Sequence, residues 1–250
     1  MKINPGFFKF FLSQFLPFGN PTNKGPLLTK HADNPVISPV SDNYWESLQT
    51  FNPGAVLIDD KVHLIYRAMS DDNTSVMGYA TTPNICWAKG STLGKLRLRR
   101  PQIDHNRGQN LHAYTTFNGK NPPRISITSI SVSDFLKQNW QWSEPKLISP
   151  PNIDDKDACV FPEKIKGKYF IIHRYANDID TDFVQSLNFD GRTWLEEYKW
   201  VTPRPGMWNS EKIGVAAPPL KTNNGYLLLY HGVSQTDHHY RVGALLLDPT

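Results

Sequence analysis

Residues 62–67, VHLIYR, decide the fold, because this short apolar run ends in an aromatic and then a charged side chain, and its pattern returns along the chain. Three later runs repeat it: Leu111–Thr115 (LHAYT), Tyr169–Arg174 (YFIIHR) and Tyr226–His231 (YLLLYH). The tips of the four runs follow one another at intervals of 48, 59 and 57 residues, and they are Tyr66, Tyr114, His173 and Tyr230. Units of about 40–60 residues with several short strands are typical of β-propeller blades.

Turn sequences precede three of these runs: Asp59-Asp60-Lys61, Lys166-Gly167-Lys168 and Asn223-Asn224-Gly225. Such turns connect antiparallel neighbours, and we assign them to hairpins between the middle strands of each unit. Aromatic residues make up 12% of the chain and 20 prolines are spread along it, which favours short strands over helices. The sequence therefore predicts an all-β fold with one β-propeller, and a β-sandwich with irregular loops is the alternative.

The predicted organisation is a single domain over residues 34–250 after an N-terminal extension at residues 1–33. The fourth unit ends at Leu247-Asp248-Pro249-Thr250, before its remaining strands, so we expect an incomplete propeller. An incomplete propeller exposes an edge strand and an apolar face. This predicts self-association, with a homo-oligomer as one form of it.

Composition excludes several classes of protein. The formal charge is +4, and no apolar run reaches the roughly 18 residues that a membrane helix needs, so we expect no membrane partner. Two cysteines, Cys86 and Cys159, are too few to crosslink a fold of this size. The aromatic stretch Phe7–Phe18 is interrupted by Lys9 and lacks a signal-peptide cleavage pattern. These observations favour a reducing, cytoplasmic location.

Residues 83–112 differ from the rest of the chain, because they carry six basic residues and a single acid, Asp104. A nucleic-acid-binding interpretation rests on residues 95–100, KLRLRR, within this segment. No basic stripe elsewhere extends that run, and duplex binding needs many phosphate contacts. We therefore expect no nucleic-acid partner.

Two groups of residues resemble metal ligands. Asp178, Asp180 and Asp182 alternate as in a calcium loop, but the glycine and the distal glutamate of such a loop are missing. His238 and His239 are adjacent in sequence, and adjacent histidines cannot easily bind one ion. We predict no metal site.

A series of phrases carries a family resemblance. They are Phe51-Asn52-Pro53-Gly54-Ala55, Asn121-Pro122-Pro123-Arg124, Lys156-Asp157-Ala158 with Phe161-Pro162-Glu163-Lys164, Ile172-His173-Arg174, and Lys212-Ile213-Gly214 with Tyr230-His231-Gly232-Val233. In this order they resemble glycoside hydrolase family 130, the β-mannoside phosphorylases and related β-mannosidases. The resemblance implies a five-bladed β-propeller that releases mannose 1-phosphate from β-mannoside oligosaccharides by inverting phosphorolysis. Inorganic phosphate would be the co-substrate, and no cofactor is implied.

The family's proton-donor motif, Glu-Asp-Pro-Arg, is missing, and Arg99-Arg100-Pro101-Gln102 stands in its place. If residues 95–102 are encoded AAA TTG CGG CTG CGA AGA CCC CAG, reading one nucleotide later gives Asn-Cys-Gly-Cys-Glu-Asp-Pro-Arg. A changed reading frame, together with a deletion, is our hypothesis for the altered segment at residues 83–112. The catalytic acid of this chain is therefore unknown. We expect weak or absent activity, since general acid catalysis contributes about 10²–10⁴-fold.

The repeat itself predicts a basic pocket. Arg67 and Arg174 follow the tips of two runs, and His231 follows the tip of a third. Such strand ends converge on the central channel of a propeller, where cations can desolvate and aim a phosphate. Arginine suits this role through its bidentate fork.

The resemblance assigns further roles. It implies that Asn52 and Arg67 contact the mannosyl unit, and that Tyr230 and His231 contact either the sugar or the phosphate. Its phosphate contacts are Arg124, Lys156, His173 and Arg174. Asp157, a carboxylate beside Lys156, is a further substrate-binding candidate through a sugar hydroxyl group. For Asp157, a salt-bridged turn residue is an equal alternative, and Trp208 is a candidate platform for a sugar ring.

Two other functions stay open. A β-mannosidase of the same family would use water in place of phosphate and a carboxylate base, but the retained cations favour phosphate. A non-catalytic carbohydrate-binding propeller is the alternative from another class, and the missing acid favours it.

Overall fold

The computed structural model describes residue 32 and residues 34–81, 98–106, 109–215 and 217–248, and over residues 98–112 it describes the backbone alone. The described chain is almost all β-structure, with one 3-10 turn at Tyr44–Glu46 and one short helix, α1, at Val132–Leu136. The predicted all-β class is thus confirmed. No helix in these ranges is long and apolar enough to cross a membrane. Cys86 and the stretch Phe7–Phe18 lie outside the described residues.

The strands form four antiparallel sheets in chain order. Sheet 1 contains β1 (Gln49–Ile58), β2 (Lys61–Met69) and β3 (Ser75–Thr81). Sheet 2 contains β4 (Leu98–Asn106), β5 (Gln109–Thr116), β6 (Arg124–Ser131) and β7 (Lys146–Leu147). Sheet 3 contains β8 (Asp155–Val160), β9 (Tyr169–Tyr175), β10 (Asp178–Val184) and β11 (Tyr198–Val201). Sheet 4 contains β12 (Lys212–Val215), β13 (Leu220–Thr222), β14 (Gly225–Val233) and β15 (Tyr240–Leu247), and β14 pairs with the other three.

The four repeated runs form β2, β5, β9 and β14. Each is the second strand of its sheet by position, because β12 and β13 together pair with one edge of β14 and β15 pairs with the other. The hairpin turns before them join the first strand to the second, so their assignment to the middle strands was wrong. Asp59 and Asp60 link β1 to β2 in sheet 1, with φ values of 50° and 58°. Lys166 and Gly167, at 49° and 79°, make the corresponding turn in sheet 3. Two positive φ values match the right-handed twist of a hairpin.

The tips of the runs occupy one register position in all four sheets. Their partners on the third strand are small or acidic, and the pairs are Tyr66 with Gly78, Tyr114 with Ser126, His173 with Asp180 and Tyr230 with Gly243. A Cβ atom on Gly78 would lie 2.3 Å from the Tyr66 ring, and one on Gly243 would lie 2.5 Å from the Tyr230 ring. The tyrosine rings therefore lie directly over the glycines.

The tips of sheets 2, 3 and 4 each face the sheet that precedes their own in the chain. Tyr114 lies in the apolar core between sheets 1 and 2, and Tyr230 lies in the core between sheets 3 and 4. The core between sheets 2 and 3 includes Ile171, so His173, two residues further along β9, faces sheet 2. Side chains that follow the tips face the other way.

The segment before β1 covers the outer face of sheet 1. Ile37 and Trp45 pack on this face beside Tyr66. Tyr66 Oη donates a hydrogen bond of 2.8 Å to Glu46 Oε2, and Asn43 Nδ2 donates one of 2.6 Å to Glu46 Oε1. Burial raises the pKa of the Tyr66 phenol, and the bond to Glu46 raises it further. The buried Glu46 carboxylate is thus satisfied by two neutral donors.

Sheet 4 exposes apolar side chains on the face that carries His231. Val242, the register partner of His231, is 54% exposed, and Leu220 and Leu246 are also more than half exposed. This composition is typical of a face that another apolar surface covers. The expected self-association stays a prediction.

Replacing Tyr66 by Phe is expected to lower the free energy of unfolding by about 1–3 kcal/mol, because the buried Glu46 carboxylate would lose a hydrogen-bond donor. Denaturant unfolding followed by tryptophan fluorescence measures this loss. Tyr44→Phe is the matched control. Tyr44 is 63% exposed, so removing its hydroxyl should change the same free energy by less than about 0.5 kcal/mol. Equal effects of the two substitutions would refute a stabilising Tyr66–Glu46 bond.

Candidate functional site

The first strands of sheets 1, 2 and 3 each contain a register shift, and the three shifts lie at equivalent positions along the strands. The register shifts lie between Phe51 and Gly54 in β1, between Arg99 and Gln102 in β4, and between Lys156 and Cys159 in β8. On the second strand, the residue after the tip pairs with the residue at which the shift begins. These residues are Arg67, Thr115 and Arg174. Residues 52, 100 and 157 therefore occupy equivalent positions. Bulges of this kind redirect side chains near binding sites.

Asn52 and Asp157 have the backbone conformation that such a bulge imposes. Their φ values are 51° and 54°, in the left-handed region. Asparagine and aspartate tolerate this region better than other non-glycine residues, but it still costs free energy. The contacts around each bulge must therefore hold it in place.

Asp157 lies at the centre of a group of charged side chains drawn from two sheets. Arg174 Nη1 lies 3.1 Å from Asp157 Oδ2, and His231 Nε2 lies 3.6 Å from the same oxygen. The Asp157 and Arg174 side chains are buried, and the His231 side chain is 12% exposed. The structure thus brings together three residues that the sequence analysis assigned to the site.

Gly214 makes this meeting of sheets 3 and 4 possible. It pairs with His231 in the register of β12 and β14. A Cβ atom at Gly214 would lie 2.7 Å from Asp157 Oδ2 and 2.7 Å from His231 Cε1. Any side chain here would push these two groups aside.

The arrangement suits the recognition of an anion and a sugar together. Arg174 brings a positive charge and His231 an imidazole ring to one side of the Asp157 carboxylate, and charge-assisted hydrogen bonds from a guanidinium to a phosphate are strong. The carboxylate can accept hydrogen bonds from sugar hydroxyl groups. Because the three groups already hold one another, a ligand would meet them in a fixed geometry.

Lys156 directly precedes Asp157 in the sequence, and Tyr230 directly precedes His231. Lys156 Nζ forms an ion pair of 2.7 Å with Asp154 Oδ2, and its side chain is 19% exposed. Tyr230 is buried, and its ring stacks on Trp208 with 5.7 Å between centroids. One face of Trp208, the candidate sugar platform, is therefore in contact with Tyr230.

Arg67 makes its described contacts within sheet 1. Its Nε donates a hydrogen bond of 2.9 Å to Ser75 Oγ, and its guanidinium lies 4.6 Å from the centroid of the Phe51 ring. The bulge residue Asn52 directly follows Phe51. Their contact with a mannosyl unit stays a prediction.

Arg124 is the first residue of β6. It donates to the Ser149 carbonyl oxygen through Nε, at 3.0 Å, and through Nη2, and its guanidinium lies 4.7 Å from the centroid of the Trp194 ring. Burial lowers the pKa of Arg124, against the effect of Asp155. The two bonds to Ser149 use part of the guanidinium fork, so the role of Arg124 in phosphate binding stays a prediction.

His173 is adjacent to Arg174 in sequence but lies on the opposite face of sheet 3. It is 1% exposed, and its Nδ1 lies 2.8 Å from Asp155 Oδ1. The structure therefore does not bring His173 to the group around Asp157. Its expected contact with phosphate finds no support in these contacts.

The groups that resembled metal ligands have other partners. Asp178 forms an ion pair of 2.5 Å with Lys199, and His238 Nδ1 lies 2.6 Å from Glu211 Oε2. Within the part of the chain that the structure describes, no group of three or more His, Cys, Asp or Glu side chains could hold a metal ion. The side chains of Arg99, Arg100 and Pro101 lie outside the described residues.

Sequence reasoning missed Asp155 and Gly214. Strict alternation along β8 would place Asp155 and Asp157 on the same face. Instead the bulge lets Asp155 meet His173 on one face while Asp157 meets Arg174 on the other. Neither the bulge nor the approach of Asp157 to Gly214 has a signal in the sequence of either strand alone.

Comparison with known proteins gives this geometry a family context. A family model described as beta-1,4-mannooligosaccharide phosphorylase matches residues 105–250. The 1,2-beta-oligomannan phosphorylase of Thermoanaerobacter sp. (strain X514) is 30% identical over 244 residues, which cover 88% of this chain and 76% of the relative. The beta-1,2-mannobiose phosphorylase of the same strain is 31% identical over 243 residues, with 88% and 77% covered.

Solved structures share the fold. A glycosyl hydrolase from Bacteroides ovatus superposes with a TM-score of 0.70 at 22% identity, over 88% of this chain and 75% of that one. The beta-1,2-mannobiose phosphorylase from Listeria innocua, in complex with beta-1,2-mannobiose, superposes with a TM-score of 0.64 at 18% identity, over 87% and 78%. Together with the family model and the two Thermoanaerobacter relatives, these findings show that the chain belongs to glycoside hydrolase family 130, whose members include the mannoside phosphorylases.

Proposed function

We propose that this chain is a β-mannoside phosphorylase that performs inverting phosphorolysis and releases mannose 1-phosphate. The observation that carries the proposal is the meeting of Arg174, Asp157 and His231 across sheets 3 and 4. Both Thermoanaerobacter relatives are named as phosphorylases of β-1,2-linked mannosides, which makes β-1,2-mannobiose the first substrate to test.

In this reaction, a phosphate oxygen forms a bond to the anomeric carbon while the bond to the bridging oxygen breaks, and the leaving oxygen takes up a proton. Arg174 and His231 would attract and orient the phosphate, and Asp157 would accept hydrogen bonds from a sugar hydroxyl. We assign Asn52 and Arg67 to the mannosyl unit, and Tyr230 to the wall of the same site. Arg124 and Lys156 are the further candidates for phosphate.

The four sheets would be four blades of a five-bladed β-propeller. The first strands of successive sheets contact one another, β1 with β4, β4 with β8 and β8 with β12. First strands that follow one another in this way are what blades around a common channel require. A cytoplasmic location is part of the same proposal.

The chain would be impaired because no acid stands at residue 100. The bulge of β4 gives this residue the position that Asn52 and Asp157 have in their own sheets. Arginine stays charged at neutral pH and cannot act there as a general acid. The proton for the leaving oxygen would then have no side-chain donor at this position.

Restoring the acid tests the proposal. The triple variant Arg99→Glu, Arg100→Asp and Gln102→Arg is expected to release mannose 1-phosphate from β-1,2-mannobiose at a rate about 10²–10⁴-fold above that of the unchanged chain. Product formation is followed by phosphorus NMR with and without phosphate. The matched control carries Arg100→Asn in place of Arg100→Asp and should gain nothing.

Three results would overturn the proposal. Phosphate-independent release of free mannose would identify a hydrolase. Binding of the disaccharide in calorimetry without turnover in the restored variant would identify a carbohydrate-binding propeller. Equal gains from the aspartate and asparagine variants would remove residue 100 from acid catalysis.

Replacing Gly214 by Ala tests the meeting of sheets 3 and 4. The new methyl group must displace Asp157 or His231, so we expect the free energy of unfolding to fall by about 1–3 kcal/mol and mannobiose binding to weaken. Denaturant unfolding and calorimetry measure the two effects. In a His231→Ala background the same substitution should cost less, since one of the two obstructing groups is gone. Full additivity of the two substitutions would contradict the geometry.

A further inference from the structure

The tip of sheet 3 differs in chemistry from the tips of the other sheets. Sheets 1, 2 and 4 have a buried tyrosine opposite a glycine or a serine, whereas sheet 3 has His173 opposite Asp180. The same register position thus holds a packed aromatic ring in three sheets and a titratable ring in the fourth. Since this position faces the protein interior, His173 is placed to act on its protein neighbours.

His173 and Arg174 hold β8 from opposite faces. His173 Nδ1 lies 2.8 Å from Asp155 Oδ1, and Arg174 Nη1 lies 3.1 Å from Asp157 Oδ2. Asp155 is also fixed through its backbone N–H, which donates to the Pro123 carbonyl oxygen at 3.0 Å. We call the pair of contacts, His173 with Asp155 and Arg174 with Asp157, the β8 clamp. The clamp brackets Lys156 and the bulge that begins there.

The clamp explains how the strained backbone of Asp157 persists. A non-glycine residue with a φ of 54° stays in that conformation only when its surroundings hold it. Arg174 holds the side chain of Asp157, but the chain that enters the bulge is held from the other face, through Asp155. Loss of either contact would let the bulge relax.

Acids surround His173 on its face of sheet 3. Burial acts to lower the pKa of His173, but Asp155 first, and then Asp180 and Asp182, outweigh it, so the pKa is raised above its ordinary value. Burial also raises the pKa of Asp180 to about 6. The other charged groups that act on this cluster are Arg124 from β6, Lys199 from β11, and Asp154, Asp178, Glu196 and Glu197. These acids therefore favour the protonated form of His173 more than water would.

We propose that His173 is a positioning residue for the phosphorylase site: it holds Asp155 on one face of β8 and so fixes the bulge that presents Lys156 and Asp157 to the ligand. It does not itself contact phosphate. The clamp is a property of the fold, and only its consequence for ligand binding rests on the proposed function.

Two variants of His173 test the clamp in the full chain. His173→Leu removes the ring donor, whereas His173→Asn keeps a donor close to the position of Nδ1 without the charge. We expect amide hydrogens of residues 155–158 to exchange roughly tenfold faster in His173→Leu, with a smaller change in His173→Asn, because a local contact limits opening there. Tyr66→Phe is the control at the equivalent position of sheet 1 and should leave residues 155–158 unchanged.

The pH dependence of the free energy of unfolding distinguishes a charged His173 from a ring that only fills space. A histidine with a raised pKa in the folded state stabilises the protein fully below its unfolded pKa of about 6.5, and this contribution is lost as the pH rises through the folded value. We expect the free energy of unfolding to fall as the pH rises above about 6.5 and through the raised folded-state pKa of His173, and His173→Asn to remove most of this fall. Nitrogen-15 NMR of labelled histidines should show His173 titrating above the pKa of a free histidine, with a proton on Nδ1, the nitrogen that faces Asp155.

Sulfate, used in place of phosphate, tests whether His173 contacts the anion directly or acts only through the clamp. It is a suitable probe because it stays a dianion over this pH range. If the clamp is correct, adding sulfate leaves the ring nitrogens of His173 unshifted, while His173→Leu weakens sulfate binding roughly tenfold. A sulfate-induced shift of these nitrogens, an Nδ1 without a proton at pH 7, or unchanged exchange in both variants would overturn it. If the unchanged chain binds neither sulfate nor β-1,2-mannobiose, the proposed function fails, and the exchange and NMR results still decide the clamp.

Discussion

Neighbouring residues of a strand point to opposite faces of the sheet, and this alternation on the second strands is the constraint on which the rest of the molecule depends. In sheets 2, 3 and 4 the tip of the run faces the preceding sheet, in sheet 1 it faces the segment before β1, and the residue after the tip faces the other way. The first position packs the sheets together. The second, at Arg67, Arg174 and His231, carries positive charge or an imidazole. The residues that pack the sheets and the proposed binding residues are thus separated by a single peptide bond.

The bulges of the first strands add what alternation alone cannot supply. One extra residue changes the face to which the following side chain points, so Asp155 and Asp157 hold partners on both faces of sheet 3. A regular strand would bring both carboxylates to one face, where they would repel each other and leave Arg174 without Asp157. The bulge therefore creates the site and the means of holding it.

Burying these charges is costly unless each has a close partner. Asp157 and Arg174 are both buried and lie 3.1 Å apart, and Asp155 and His173 are buried and lie 2.8 Å apart. Groups paired in this way need little rearrangement when a ligand arrives, which is the condition for electrostatic preorganisation. The third equivalent bulge, in β4, carries an arginine at residue 100.

The sequence alone predicted the all-β class, the four repeated strands and the family, because these follow from local features: the period of the apolar runs, the turn residues and the order of short phrases. It also named Asp157, Arg174 and His231. Only the tertiary structure decided that these three meet, that Gly214 leaves room for them, and that His173 turns away toward Asp155. Those outcomes depend on a bulge and on the approach of one sheet to the next. Such contacts arise between residues far apart in the chain, and no single stretch of sequence encodes them.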